Sequence, residues 1–197
     1  MKTNKELRAL ARAQLKGGWG LAIGILLIYC LICSASNIVP GIGMLILSGP
    51  LTLGFMGFFI KKVRGEDVKV ENLFDGFSNF GTSLLLYILQ GIFIMLWSLL
   101  LVVPGIVKCF SYSMAFYILR DNPDIGAMEA ITRSRIMMNG YKGKLFGLCF
   151  SFIGWCLLCV ITFGIGYLWL APYMCQAFAN FYEDLKKNSK PAEAAAA

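Results

Sequence analysis

The chain has 197 residues, of which 58% are hydrophobic and only 15% are charged, whereas soluble domains are about one-quarter charged. It contains no histidine, which excludes a catalytic triad with a histidine base and a zinc-protease helix. Its net charge of +7 comes from Lys and Arg residues grouped between long uncharged stretches. These features predict an all-α protein embedded in a membrane.

Three nearly uncharged stretches organise the chain. Residues 17–60 and 145–182 contain no Lys, Arg, Asp or Glu, and residues 76–119 contain only Lys108. A helix crosses the hydrocarbon core of a bilayer in about 20 residues, so each stretch is long enough to cross twice. We interpret the Gly-rich break near the middle of each as the tip of a helical hairpin: Pro40-Gly41, Pro104-Gly105 and Gly164-Ile165-Gly166.

Six crossings follow from these three hairpins. In chain order they are 19–36, 44–60, 81–103, 106–119, 145–162 and 166–183. At about 1.5 Å per residue the fourth reaches only about 21 Å, so we expect it to be tilted or buried against its neighbours. Pro50 and Pro172 are expected to kink the second and sixth crossings.

An amphipathic stretch precedes the first hairpin. In residues 3–16, Arg8, Arg12 and Lys16 are spaced four apart on one helical face. Leu7, Ala11 and Leu15, with Leu10, line another face. A short helix with two such faces suits the membrane–water interface, although it can also pack on the protein as an ordinary loop helix.

Similar stretches precede the other two hairpins. Residues 68–80 carry a stripe of large apolar side chains. Residues 124–139 follow Asp121 and Pro123, which signal the start of a helix, and Gly140 ends this stretch. Glu129 and Arg133 have the spacing of an i,i+4 ion pair. We predict interfacial helices here too, with packed loop helices again the alternative.

The order of amphipathic helix, crossing, tip and return crossing therefore occurs three times. The units are 3–60, 68–119 and 124–183, within one integral membrane domain (1–185) followed by a flexible cytoplasmic tail (186–197). All three units start on the same side, which predicts a parallel threefold pseudo-repeat. Because Lys and Arg gather on cytoplasmic loops, both termini and both long loops are expected to be cytoplasmic, in the plasma membrane.

Signs of chemistry are few. The seven cysteines all lie in predicted crossings, where an apolar helix is the wrong setting for metal or redox chemistry, and are interpreted as packing residues. No carboxylate lies within a crossing, and Gln90 is expected to bond another helix. We therefore predict no catalytic residue, no metal, no cofactor, no nucleic-acid partner and no enzymatic activity.

Several segments resemble a known family. They are Leu7 through Trp19, Tyr112 through Leu119 with Asp121-Asn122-Pro123, and, in the third unit, Glu129-Ala130-Ile131, Met138-Asn139-Gly140-Tyr141-Lys142 and Gly164-Ile165-Gly166. These segments are similar to DUF975, a family of bacterial multi-pass membrane proteins. The resemblance covers nearly the whole chain and implies an integral plasma-membrane protein, mostly of Gram-positive bacteria. It implies no activity and no functional residue.

Two functional hypotheses remain. The first is a non-enzymatic interaction or accessory protein whose cytoplasmic helices contact lipids, a protein partner or a second copy. Its candidate contact residues are Arg8, Arg12, Lys16, Glu129, Arg133 and Lys142. The second is a small-solute transporter or permease, favoured by the parallel repeat and the kinked return helices. The candidate structural residues are Pro40, Gly41, Pro50, Pro104, Gly105, Asp121, Pro123, Gly140, Gly164, Gly166 and Pro172.

Overall fold

The computed structural model of the protein describes residues 1–36, 42–162 and 164–194. This part of the chain is all-α. The elements are α1 (Asn4–Leu15), α2 (Trp19–Ser36), α3 (Ile42–Arg64), a 3₁₀ helix (Val70–Asn79), α4 (Phe80–Leu100), α5 (Val102–Tyr112), α6 (Ala115–Asp121), α7 (Ala127–Met137), α8 (Lys142–Phe150), α9 (Ile153–Ile161) and α10 (Tyr167–Ala194). Pro40 and Gly41, the predicted first tip, lie outside the described residues. Residues 186–194, predicted to be a flexible tail, continue α10.

Four helical segments of the described chain are long and apolar enough to cross a membrane. They are Leu45–Arg64, Val70–Leu100, Val102–Asp121 and Lys142–Ile161. A fifth results if α1 and α2, which meet at 95°, count as one bent span. The helix composition is thus that of a multi-pass membrane protein. α10 is not among these segments, because Gln176, Asn180 and the charged residues after Tyr182 lower its hydropathy.

The helices form an inner and an outer set. α3 contacts α2, the 3₁₀ helix, α4, α6 and α10. In the most apolar stretch of Leu45–Arg64, which belongs to α3, 61% of the residues are buried. The corresponding fractions are 11% in Val70–Leu100 and 17% in Lys142–Ile161. The core therefore lies around α3, α5–α6 and α10. The segments α4 and α8–α9 lie outside and expose large apolar side chains, as expected of helices that face lipid.

α3 and the 3₁₀ helix meet backbone to backbone. A Cβ atom at Gly54 would lie 1.8 Å from the carbonyl oxygen of Leu73, and one at Gly76 would lie 2.0 Å from that of Pro50. Only glycine fits at either position, and such small residues let helices in membranes approach closely. Pro50 lies inside α3 at this contact.

The geometry of the 3₁₀ helix aligns its aromatic residues. With three residues per turn, side chains at i and i+3 eclipse one another. Phe74, Phe77 and Phe80 accordingly form a row with ring centroids 6.1 and 6.3 Å apart. The helix leads directly into α4, and Val70–Leu100 is one apolar segment. A helix thus precedes α4 as predicted, but it is a 3₁₀ helix that packs on α3 and runs directly into α4.

The second predicted tip exists but lies at Leu101, earlier in the chain than the predicted Pro104-Gly105. The break between α4 and α5 is the single extended residue Leu101 (φ −162°, ψ 139°). Pro104 lies in the first turn of α5, where its missing N–H costs no helical hydrogen bond. Gly105 lies against α4, because a Cβ atom there would be 2.3 Å from the Ser98 Oγ. The fourth crossing consequently lengthens to the 20 residues Val102–Asp121, about 30 Å, and is not short.

The remaining turns lie between α6 and α7, α7 and α8, and α9 and α10. α7 begins at Ala127, so Asp121 does not start it; Asp121 ends α6 instead. The Pro123 carbonyl accepts a hydrogen bond of 2.6 Å from the Asn79 side chain. Gly140 (φ +80°) lies between α7 and α8. Gly164 (φ +85°) and Gly166 lie between α9 and α10, and Pro172 lies inside α10.

Candidate functional site

α1 is capped at its start and packed along its length. Thr3 accepts a hydrogen bond from the Glu6 backbone N–H, and the Glu6 carboxylate accepts one of 2.6 Å from the Thr3 backbone N–H. This second bond holds the pKa of Glu6 below its ordinary value. Leu7, Ala11 and Leu15 are fully buried, so the helix lies on the protein with its predicted apolar face inward.

The basic residues of α1 have three different environments. Arg8 donates a hydrogen bond of 3.2 Å to the Ser151 carbonyl, at the break between α8 and α9. Arg12 donates one of 3.2 Å to the Tyr173 hydroxyl, and its guanidinium lies 5.5 Å from that ring's centroid. Lys16 is exposed. The three residues of the predicted basic face therefore differ in exposure. Arg8 is half-buried, whereas Arg12 and Lys16 are exposed.

A buried amide cluster joins α1 to α10. The Gln14 side-chain oxygen accepts hydrogen bonds of 2.9 Å from Gln176 and 2.7 Å from Asn180. Gln176 and Asn180 are both buried, so these bonds satisfy two side-chain nitrogens that water does not reach. The Gln176 side-chain oxygen has no hydrogen-bond partner within the described residues. They fix α1 across α10, at a right angle to the direction of α2.

The other candidate contact residues lie on α7 and α8. Glu129 and Arg133 form the predicted i,i+4 ion pair at 2.6 Å, and both side chains are about half exposed. Lys142 begins α8 and is half-buried. Met128 and Ile136 are exposed beside the ion pair on α7. α1 packs mainly on α10, whereas α7 packs mainly on α4 and α6. The six candidate contact residues therefore do not form one cluster.

Sequence reasoning missed an ionic cluster where α3 and α6 end beside α10. The Asp121 side chain, only 4% exposed, accepts hydrogen bonds from Arg64 at 2.8 Å, from the Tyr182 hydroxyl at 3.0 Å and from Lys186. Arg64 also donates to Glu183 at 2.6 Å. Residues from α3, α6 and α10 thus meet in one network. The available signal was that each of these charges lies just beyond an uncharged stretch.

A second carboxylate extends this network to the 3₁₀ helix. Asp75 accepts hydrogen bonds from Lys61 at 2.9 Å and from Arg120 at 2.7 Å. Arg120 and Asp121 are consecutive, so the two carboxylate sites share the end of α6. Each carboxylate bridges two cations, which makes the arrangement a network rather than isolated surface pairs. Every described carboxylate and cation of this network has a partner of opposite charge, so the network is suited to holding the helices together.

A cavity of about 500 Å³ lies among α3, α4, α5–α6, α8 and α10. Thr52, Tyr87, Gln90 and Ser113 provide polar groups in an otherwise apolar lining. Gln90 donates to the Tyr112 carbonyl at 3.2 Å, as expected of an interhelical bond. The Gln90 side-chain oxygen is buried and has no hydrogen-bond partner within the described residues.

The seven cysteines are free thiols scattered over the crossings. Within the described residues, no three side chains of His, Cys, Asp or Glu come together in a group able to hold a metal ion. The arrangement of the cysteines therefore offers no site for metal chemistry in this part of the chain.

The family model "Protein of unknown function (DUF975)" matches residues 1–111 and residues 99–189. The chain belongs to the DUF975 family. The two matches overlap and together cover nearly all of this DUF975 protein, from α1 into the second half of α10. Neither the curated proteins nor the solved structures contain a match to it.

Proposed function

We propose that the protein is a non-enzymatic, multi-pass plasma-membrane protein that binds anionic lipid headgroups through α1 on the cytoplasmic surface. The observation that carries this proposal is the 95° turn between α1 and the apolar α2. If α2 crosses the bilayer, α1 lies along its surface. The outward face of α1 carries Lys5, Arg12 and Lys16, all exposed, and each basic residue near an anionic surface contributes about 1 kcal/mol.

Six crossings and cytoplasmic termini complete the proposed placement. The inner helices support it, because the return crossing of each unit ends in a buried aromatic pair. These pairs are Phe58-Phe59, Phe116-Tyr117 and Phe181-Tyr182. Arg64, Asp121 and Glu183 follow them and lie in one ionic network, so the three return crossings end at the same level. This supports a parallel threefold pseudo-repeat.

Cysteine labelling tests the placement. In a cysteine-free background, a cysteine replacing Gly164 should react with an impermeant reagent added from outside, and one replacing Asn139 should react only after the membrane is opened. Labelling of Asn139→Cys in intact cells would contradict cytoplasmic loops.

Energy transfer tests the lipid contact of α1. A fluorophore on Ala9→Cys, in the exposed face of α1, should transfer more energy to headgroup-labelled phosphatidylglycerol than to phosphatidylcholine. Salt should reduce the difference, because it screens exposed charges. The double variant Lys5→Gln/Lys16→Gln should reduce it further, and Lys187→Gln on α10 is the matched control. Equal transfer to both lipids at low salt would refute the proposal.

A second candidate function is transport of a small solute, favoured by the cavity around Gln90. Residues of α3, α5–α6 and α10 all line this cavity, and Gln90 offers an unpartnered oxygen there. Gly91 also lines it, and a Cβ atom at Gly91 would meet no heavy atom within 4 Å. Gly91→Leu should therefore place an apolar side chain at the cavity from an unobstructed Cβ position and reduce flux in proteoliposomes. Absence of flux for every solute class in the wild-type protein would exclude this function.

A further inference from the structure

A pocket of about 390 Å³ lies between α1, α2, α9 and α10. Three of the four tryptophans of the chain line it, Trp19, Trp155 and Trp169, and the side chains of Arg12, Thr162 and Tyr173 add polar groups. Its volume is in the range of small-ligand pockets, roughly 300–1,000 Å³. The pocket is separate from the cavity around Gln90, with which it shares no lining residue.

Arg12 is the only charged residue among the described residues that line this pocket. Its guanidinium donates to the Tyr173 hydroxyl, and no ion pair of the described residues includes it. Arg12 is exposed, so in the proposed placement it faces the membrane, where a charge without a counter-ion is costly. A charged residue at a membrane-facing site therefore indicates a ligand of opposite charge.

The pocket is apolar beyond Arg12 and faces outward. Trp155, Leu158 and Trp169 are each about half exposed on the outer side of α9 and α10. From Tyr173 to Gly166 the pocket follows α10 for about 10 Å, at about 1.5 Å per residue. A ligand with one anionic end and one long apolar end matches this combination of a cation, aromatic walls and an outward opening.

We propose that this pocket binds one anionic phospholipid of the surrounding leaflet. The lipid phosphate accepts hydrogen bonds from Arg12 and Tyr173, and one acyl chain lies along α10 between Trp155 and Trp169. The pocket faces the apolar exterior of the outer helices, which favours a lipid over a free anion in water. The proposal rests on the membrane placement proposed above and names a single bound lipid, in addition to the looser headgroup contacts of Lys5 and Lys16.

Tryptophan quenching tests this site. In the variant Trp97→Phe, the remaining tryptophans all line the pocket, so their fluorescence reports its occupant. In proteoliposomes of phosphatidylcholine, a few mole per cent of brominated phosphatidylglycerol should quench them, while brominated phosphatidylcholine at the same level should not. We expect about a tenfold lower half-quenching fraction for phosphatidylglycerol, equivalent to about 1.4 kcal/mol. Both lipids carry a phosphate, but the choline cation of phosphatidylcholine offsets the attraction of its phosphate for Arg12.

Matched variants separate the pocket from general surface charge. Arg12→Gln should remove the tenfold preference, Arg12→Lys should keep part of it, and Lys187→Gln, with the same change of charge on the exposed side of α10, should leave it unchanged. Equal quenching by both lipids in the wild-type background, or an equal loss in Lys187→Gln, would overturn the site. Energy transfer from Ala9→Cys reports the surface contact separately, so either proposal can fail alone.

Discussion

Replacement of Gly54 by alanine tests the closest helix contact of the fold. The new Cβ would lie 1.8 Å from the Leu73 oxygen, whereas Cβ atoms almost never approach a heavy atom closer than 3.0 Å. The 3₁₀ helix must then move away from α3 by about 1.2 Å. Because both groups belong to backbone, no side-chain rotation relieves the clash, and overpacking of this kind costs typically 1–3 kcal/mol.

We expect Gly54→Ala to destabilise the protein by about 2–3 kcal/mol, near the upper end of that range. For a chain of this length, that corresponds to a fall in Tm of about 4–12 °C. Thermal unfolding of the purified protein in detergent, followed by loss of the monodisperse peak in size-exclusion chromatography, measures the shift.

Gly24→Ala in α2 is the matched control. A Cβ atom at Gly24 would meet no heavy atom within 4 Å, and alanine stabilises a helix by up to about 1 kcal/mol relative to glycine. The control should therefore leave Tm unchanged or raise it. A fall in Tm of equal size in both variants would refute the argument from close backbone approach.

The double variant Gly54→Ala/Gly76→Ala provides a stricter test. A Cβ at Gly76 would meet the Pro50 oxygen across the same gap, at 2.0 Å. Once one alanine has separated the two helices, the second has less left to displace. The double variant should consequently cost clearly less than the sum of the single variants, because residues that share a contact are not additive. Strict additivity would show that the two clashes are relieved independently.

Three further substitutions test polar contacts of the same fold, with Tm as the measurement. Asp121→Asn leaves two cations without their shared carboxylate and should cost about 2 kcal/mol, a figure reduced from that of a fully buried pair because both cations are about one-third exposed. Glu129→Gln, in an exposed i,i+4 pair, should cost under about 0.5 kcal/mol, and an equal loss in both variants would contradict the assigned difference. Arg8→Gln removes the bond to the Ser151 carbonyl and should cost about 1 kcal/mol, with Lys5→Gln as the neutral control.

The helical class and the apolar segments can be predicted from the sequence because length and hydropathy alone decide them. The spacing of Leu7, Ala11 and Leu15 likewise predicts the buried face of α1. The second tip could not be found in this way. Pro104 and Gly105 suit a turn, but proline is equally acceptable in the first turn of a helix. The actual break is Leu101, a single extended residue. Leucine and valine residues surround it, so nothing in the local sequence marks the break.

The polar contacts could not be predicted because they join distant parts of the chain. Arg64 and Glu183 are 119 residues apart, and nothing near either one specifies the other. Arg8 shows the same limit within a single helix. Helical spacing places it on a basic face, but only tertiary structure shows that the α8–α9 break covers it. The 3₁₀ helix was missed because its stripe of phenylalanines also fits an amphipathic α-helix.

The ionic network has a consequence for biosynthesis. Arg64 and Asp121 emerge from the ribosome well before Tyr182 and Lys186, which supply the other two bonds to the Asp121 carboxylate. Until α10 is made and inserted, the Asp121 carboxylate lacks two of its three partners. The contact between the ends of α3 and α6 is therefore completed only by the last helix of the chain. A nascent chain that stalls before residue 182 leaves this carboxylate with Arg64 as its one partner from the network.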